Sequence, residues 1–278
     1  MIKAISVMLT MFSIFTWGCG EKTNTVATSV ATVQHDADTL SAQQVPQTSK
    51  SQIPDGARRI IEAYPDFQLS YSDNHIIFPD GTRIVYDDHR EKSFVVKLDD
   101  CDIEDMFSMT YDTNVWQPEY LEDAGRGRCE QLFKKMYGKS EAEARRNLVR
   151  VNWFGQRLPF TSVNGAARHL EEVAAELAQH PELRKYFDQS STFYWRTVRG
   201  AQRQSAHSYG IAIDLCTKFS NYWLWTNKGA GETDHIRYEN KIPRQIVQIF
   251  EKHGFIWGGR WYHYDTMHFE YRPEFLIQ

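Results

Sequence analysis

Cysteine is scarce in this chain: four residues in 278, with no pair at the spacing of a zinc finger. A basic excess is also missing. The net charge is -4, which argues against a nucleic-acid binder. The short basic runs Lys134-Lys135 and Arg145-Arg146 read as solvated helix faces. There is no internal repeat. The main apolar run, residues 4–17, falls short of the roughly 20 residues that cross a bilayer comfortably. What remains is 41% hydrophobic and 14% aromatic, enough for one sizeable core or two small ones.

Lys3 followed by that short apolar run reads as an export signal. It ends at Thr16-Trp17-Gly18-Cys19, which resembles the lipobox of bacterial lipoproteins, where a cysteine after a small residue is lipidated. Thr16 and Trp17 depart from the Leu and small residue preferred there. The expectation is a lipoprotein-type signal over 1–19, lipidation at Cys19 and a lipid-anchored protein in the cell envelope, facing the periplasm or cell wall. Gly20, where Asp would mark inner-membrane retention, favours an outer-membrane anchor. A plain secretory signal would also export the protein. An oxidising compartment permits a disulfide, and Cys101 with Cys129 is the expected pair. Cys216 follows an apolar run and is expected as a buried thiol.

Residues 20–56 are rich in Thr, Ser, Gln and Ala and bury too little to offset the entropy of ordering; they are expected to be a disordered linker. An N-terminal accessory region, 57–158, follows. Alternation at Leu69, Tyr71, Ile76 and Phe78, with a turn at Pro79-Asp80-Gly81, predicts a small β unit. The polar stretch 87–158 offers one helix, over 140–148, capped by Ser140 with Glu143 three residues on. No chemistry is read there, and one wall of a substrate groove is its expected part. From 159 to the end the signals sharpen into a second domain. Ala166, Leu170, Val173 and Leu177 predict a helix over 164–180, and Pro243 with Gly254 bracket another over 243–253. Strands are expected at 193–196, 210–215 and 268–271. Helices interleaved with short, antiparallel strands make an α+β fold, a small sheet flanked by helices.

Two segments carry chemistry. In Ser205-Ala206-His207-Ser208-Tyr209-Gly210-Ile211-Ala212-Ile213-Asp214, a carboxylate stands inside an apolar run. Burying it costs several kcal/mol, roughly, unless it is paired or bound to metal. In His263-Tyr264-Asp265-Thr266-Met267-His268-Phe269-Glu270, two histidines and two carboxylates stand among aromatics. A catalytic zinc takes about three protein ligands and one open position, and His207, Asp214 and His268 supply three. Asp265 is placed to act as a general base.

Ser-x-His-x-x-Gly-x-Ala-x-Asp followed by Asp-x-x-His-Phe-Glu closely resembles the signature of the zinc D-alanyl-D-alanine carboxypeptidases and L-alanyl-D-glutamate endopeptidases, over about the last 120 residues. The resemblance implies the Hedgehog/DD-peptidase fold for 159–278, a Zn2+ cofactor on His207, Asp214 and His268, and acid/base catalysis by Asp265. It implies an arginine upstream of the first motif for substrate or oxyanion. Arg196 is the candidate, with Arg199 and Arg203 as rivals, and Ser205 is a candidate substrate contact. His263 reads as a structural residue, with support of a metal ligand or contact with substrate as its alternatives, and Glu270 as a residue that orients a ligand histidine or pairs with an arginine. His169, His180, His235 and His253 are expected at the surface. Of the cluster Tyr222, Trp223, Trp225, Trp257, Trp261 and Tyr262, most are expected in the core and a few along the cleft. The implied activity is a zinc metallopeptidase acting on peptidoglycan stem peptides, a monomer with carboxypeptidase favoured. L-alanyl-D-glutamate endopeptidase and a non-catalytic zinc-bearing wall-binding module are the alternatives, and a purely structural envelope lipoprotein leaves the His/Asp set unexplained.

Overall fold

The computed structural model describes residues 53–277, so the export signal, Cys19 and nearly all of the expected linker lie outside the described residues. The described residues fall in one compact unit. The elements run α1 (Asp55–Ala63), β1 (Ser70–Ser72), β2 (His75–Ile77), β3 (Arg83–Val85), α2 (Phe94–Asp99), α3 (Ile103–Met106), α4 (Glu130–Tyr137), α5 (Glu141–Arg146), β4 (Leu148–Trp153) and β5 (Gln156–Thr161). They continue with α6 (Ala166–Leu177), α7 (Ala206–Tyr209), β6 (Ala212–Asp214), α8 (Trp223–Thr226), α9 (Arg244–Lys252), β7 (Phe255–Trp257) and β8 (His268–Tyr271). Three small antiparallel sheets result: β1-β2-β3, β4-β5 and β6-β8-β7. The class is α+β. Among the described residues, no helix is long and apolar enough to cross a membrane.

Local chemistry accounts for the boundaries. Helix α6 buries Ala166, Leu170, Val173 and Leu177 on one face, the 3.6-residue stripe seen in the sequence. In α9, Pro243 stands at the N-cap, and Gly254 follows the helix with φ 87°, a conformation costly to any residue with a Cβ. The buried face of α9 packs on the third sheet, with Phe250 stacked on Phe269 at 4.0 Å between centroids. Burial of aromatics of this size stabilises by about 2 kcal/mol each before entropy is counted. Ser140 caps α5 by accepting from the Glu143 N–H at 3.3 Å.

Several expectations change. A domain boundary at 158/159 would cut β5, because 148–161 is one hairpin whose strands pair from Leu148↔Thr161 to Trp153↔Gln156. The expected linker ends early, since α1 already begins at Asp55 and Gly56 is buried. The helix expected over 140–148 stops at Arg146, as Leu148 enters β4. Residues 193–196 are not a strand; they run irregularly between isolated bridges at Ser191↔Asp214 and Thr197↔Gln204. Cys101 and Cys129 are separate thiols, not a disulfide. The Cys101 thiol donates to the Asp102 carbonyl at 3.2 Å instead. Cys216 is a buried free thiol.

Candidate active site and metal centre

The third sheet does most of the positioning. β6 and β8 pair so that Asp214 lies opposite His268 and Ala212 opposite Glu270. The period of two along β8 puts His268 and Glu270 on the same face as Asp214. Ala212, having only a methyl group, leaves room there for the Glu270 side chain. His207 comes from α7, which Gly210 ends at φ 71°. A Cβ at Gly210 would stand 2.6 Å from Leu148 Cδ2 and 3.3 Å from the Thr161 amide nitrogen. Gly210 thus lets the chain turn from α7 into β6 hard against the β4-β5 hairpin, and so brings His207 over Asp214.

The three side chains meet. His207 Nε2 is 3.2 Å from Asp214 Oδ2, and His268 Nδ1 is 2.9 Å from Asp214 Oδ1. One donor atom from each lies within 4.8 Å of the others. The far nitrogen of each ring faces an oxygen. His207 Nδ1 donates to the Thr192 carbonyl at 2.5 Å, and His268 Nε2 donates to Glu270 Oε1 at 2.9 Å. Such partners fix the tautomer and leave the inner nitrogen free for a metal. Two imidazoles and one carboxylate converging from rigid elements suit zinc and leave a coordination position open.

Charges tune the centre. Burial pushes the Asp214 carboxyl up, but the charge and hydrogen bonds of His207 and His268 outweigh it and hold it well below the ordinary carboxylate range. Burial also disfavours a charged His268, yet its bonds to Asp214 and Glu270 raise it to about 10. Glu270 is driven up by burial and down more strongly by Arg128 and His268, reaching about 2. Arg128 Nη1 donates to Glu270 at 2.9 Å, and Arg272 reaches the other Glu270 oxygen at 3.4 Å.

Asp265 behaves in the opposite sense. Burial and the neighbouring Asp214 charge push its carboxyl up to about 7, against the pull of His268, His207 and Arg196. Its Oδ1 is buried without a hydrogen-bond partner. The backbone fixes it tightly: Asp265 N donates to the Gly258 carbonyl at 2.9 Å, and His268 N donates to the Asp265 carbonyl at 3.1 Å. A Cβ on Gly258 would sit 2.6 Å from that Asp265 oxygen.

One cavity of about 510 Å³ gathers His207, Asp214, Asp265 and His268, and Arg196 and Ser205 line it too. Ser205 is buried at the N-cap of α7, and Arg196 is exposed on the irregular segment. The rivals Arg199 and Arg203 line the same cavity. Of the aromatic cluster, Tyr222, Trp223, Trp225 and Trp261 face it, while Trp257 is in the core. His235 is exposed, and His169, His180 and His253 are half-buried.

Sequence reading missed three contributors. Arg126 and Arg128, from the stretch in which no chemistry was read, line the cavity. Asp123, from the same stretch, is fully buried; it accepts from the His263 backbone N–H at 3.0 Å and from His263 Nδ1 at 2.6 Å. That leaves His263 Nε2 buried and unpartnered on a residue of the cavity wall. The only signal was Asp123, Arg126 and Arg128 close together in a loop, too common a pattern to single out.

Residues 199–271 match the protein family described as D-alanyl-D-alanine carboxypeptidase. The matched stretch contains both motifs, so the comparison supports the resemblance read from them. No solved structure matches the chain.

Proposed function

We propose that this protein is a zinc peptidase that hydrolyses peptidoglycan stem peptides, as a D-alanyl-D-alanine carboxypeptidase in preference to an L-alanyl-D-glutamate endopeptidase. The observation that carries it is the convergence of His207, Asp214 and His268, each imidazole held from behind by an oxygen, beside a buried Asp265 oxygen with no partner. The family description supports the carboxypeptidase choice. The Hedgehog/DD-peptidase fold belongs to the same proposal, as do export and a lipid anchor at Cys19, which rest on the sequence of residues 1–19.

His207 Nε2, an Asp214 oxygen and His268 Nδ1 would hold the metal. When bound, zinc supplies Lewis acidity, polarising a carbonyl and acidifying a water. The protein's own groups do the rest. Asp265 takes a proton from the attacking water and passes it to the leaving amine, a task suited to a carboxyl whose pKa lies near neutrality. Arg196, lining the same cavity, stabilises the negative charge that develops on the carbonyl oxygen. Ser205 is placed to hydrogen-bond the peptide.

The test is digestion of a defined stem pentapeptide by the zinc-loaded protein, read by mass spectrometry. Release of the terminal D-alanine establishes the carboxypeptidase. A cut between L-Ala and D-Glu establishes the endopeptidase. No product while one zinc stays bound per chain makes the protein a binding module.

A further inference from the structure

Beyond the metal ligands, the cavity wall is rich in arginine. Arg126, Arg128, Arg196, Arg199 and Arg203 all line it. Arg126 is satisfied by Asp123 at 2.9 Å and by both oxygens of Glu232. The Arg196 side chain donates to the Thr197 carbonyl at 3.3 Å, and neither it nor Arg199 forms an ion pair among the described residues. Arg128 and Arg203 are only 6% and 7% exposed. Each has one acid partner, Glu270 and Asp99 respectively, and each keeps a buried Nε–H without an acceptor. A buried donor left unpaired costs about 1–3 kcal/mol, and more when it is charged. Nearby guanidinium groups add repulsion: burial and the charges of Arg128 and Arg126 lower the Arg203 pKa despite Asp99. Arg199 and Arg203 sit on one tight loop, closed by Val198 N donating to the Arg203 carbonyl at 2.9 Å and by the Thr197↔Gln204 bridge. The loop presents both to the cavity together.

We propose that Arg128, Arg199 and Arg203 form a second anion subsite, and that the substrate is a peptide bringing at least two carboxylates into this cavity. The inference rests on the peptidase reading above, which leaves Arg196 to the scissile carbonyl. A second carboxylate accepts the orphaned N–H groups and relieves the repulsion among the guanidinium groups, a geometry that arginine serves through paired N–H donors.

The full-length, zinc-loaded protein is assayed on three peptides of identical sequence: one with two free carboxylates, and two monoamides in which one or the other is blocked. The diacid is expected to show kcat/KM at least about tenfold above both monoamides, the value of one charge-assisted hydrogen bond. Arg203→Gln is expected to collapse that preference. Arg199→Gln, at an exposed position, is expected to reduce it at least about threefold and carries the test if the Arg203 variant does not fold. A monoamide cleaved as well as the diacid, or an undiminished preference in the folded variants, overturns the subsite. If no peptide is cleaved, the peptidase reading itself fails. The subsite is then decided by tryptophan fluorescence, since Trp223 and Trp225 line the same cavity: tighter binding of the diacid supports it, and equal binding overturns it.

Discussion

Glu270 Oε1 lies 2.9 Å from His268 Nε2, while the opposite nitrogen of that ring lies 2.9 Å from Asp214. Glu270 is itself gripped by Arg128 and Arg272, so the orientation of His268 is set by a buried ionic chain in the cavity wall. Glu270→Gln keeps the shape but weakens the acceptor. Zinc affinity is expected to fall by about 10–100-fold, the usual loss for such supporting groups. Chelator competition measures it, and turnover at saturating zinc should recover most of the wild-type value. Unchanged affinity would show that Glu270 does not support the ligand.

Asp265 has the opposite linkage. Its folded carboxyl titrates at about 7, above the ordinary 3.8. Between those values the folded, metal-free protein holds a proton that the unfolded chain has released, so stability falls as pH rises from about 4 to about 7. Asp265→Asn removes that loss. The metal-free variant is expected to be more stable than wild type at pH 8, by up to about 4 kcal/mol, and equal to it below pH 4. Denaturant titrations at the two pH values check this. The same variant should retain zinc and lose about 10²–10⁴-fold in kcat. Near-wild-type turnover would remove Asp265 from the chemistry.

Gly210 fixes the hinge between the two halves of the first motif. Gly210→Ala imposes a Cβ at φ 71° and 2.6 Å from Leu148 Cδ2. The expected destabilisation is about 1–3 kcal/mol, with a matching drop in zinc affinity as His207 is displaced. A thermal melt and a zinc titration on the same sample read both effects. A loss of stability with zinc affinity unchanged would mean that His207 tolerates the shift.

How much was legible follows from what each signal depends on. The long amphipathic helices α6 and α9 were readable because a stripe of buried residues repeats over three turns or nearly so, and the β1-β2-β3 unit because alternation frames its turn. The residues now meeting around Asp214 stood out because a carboxylate within an apolar run demands an explanation. The stretch 87–158 was opaque because its helices are short: α2 has six residues and α3 four, too few to display a period, and α5, also six, was legible only through its Ser140 cap. Arg128 and Asp123 acquire their roles only from contacts more than a hundred residues away in sequence, with Glu270 and His263. The segment 193–196 misled because its aromatics imitate a strand, while its backbone is held by single bridges and by the Ser208 hydroxyl, which accepts from Arg196 N at 2.8 Å.

In the proposed function, turnover depends on one metal held by His207, Asp214 and His268. Zinc content and peptide hydrolysis measured together, on protein stripped by chelation and then titrated with zinc, test it most directly. Expected are no hydrolysis in the stripped protein, full recovery at one equivalent of zinc, and neither binding nor recovery in His268→Ala. Hydrolysis that persists in the stripped protein, or that recovers fully in His268→Ala, would contradict it.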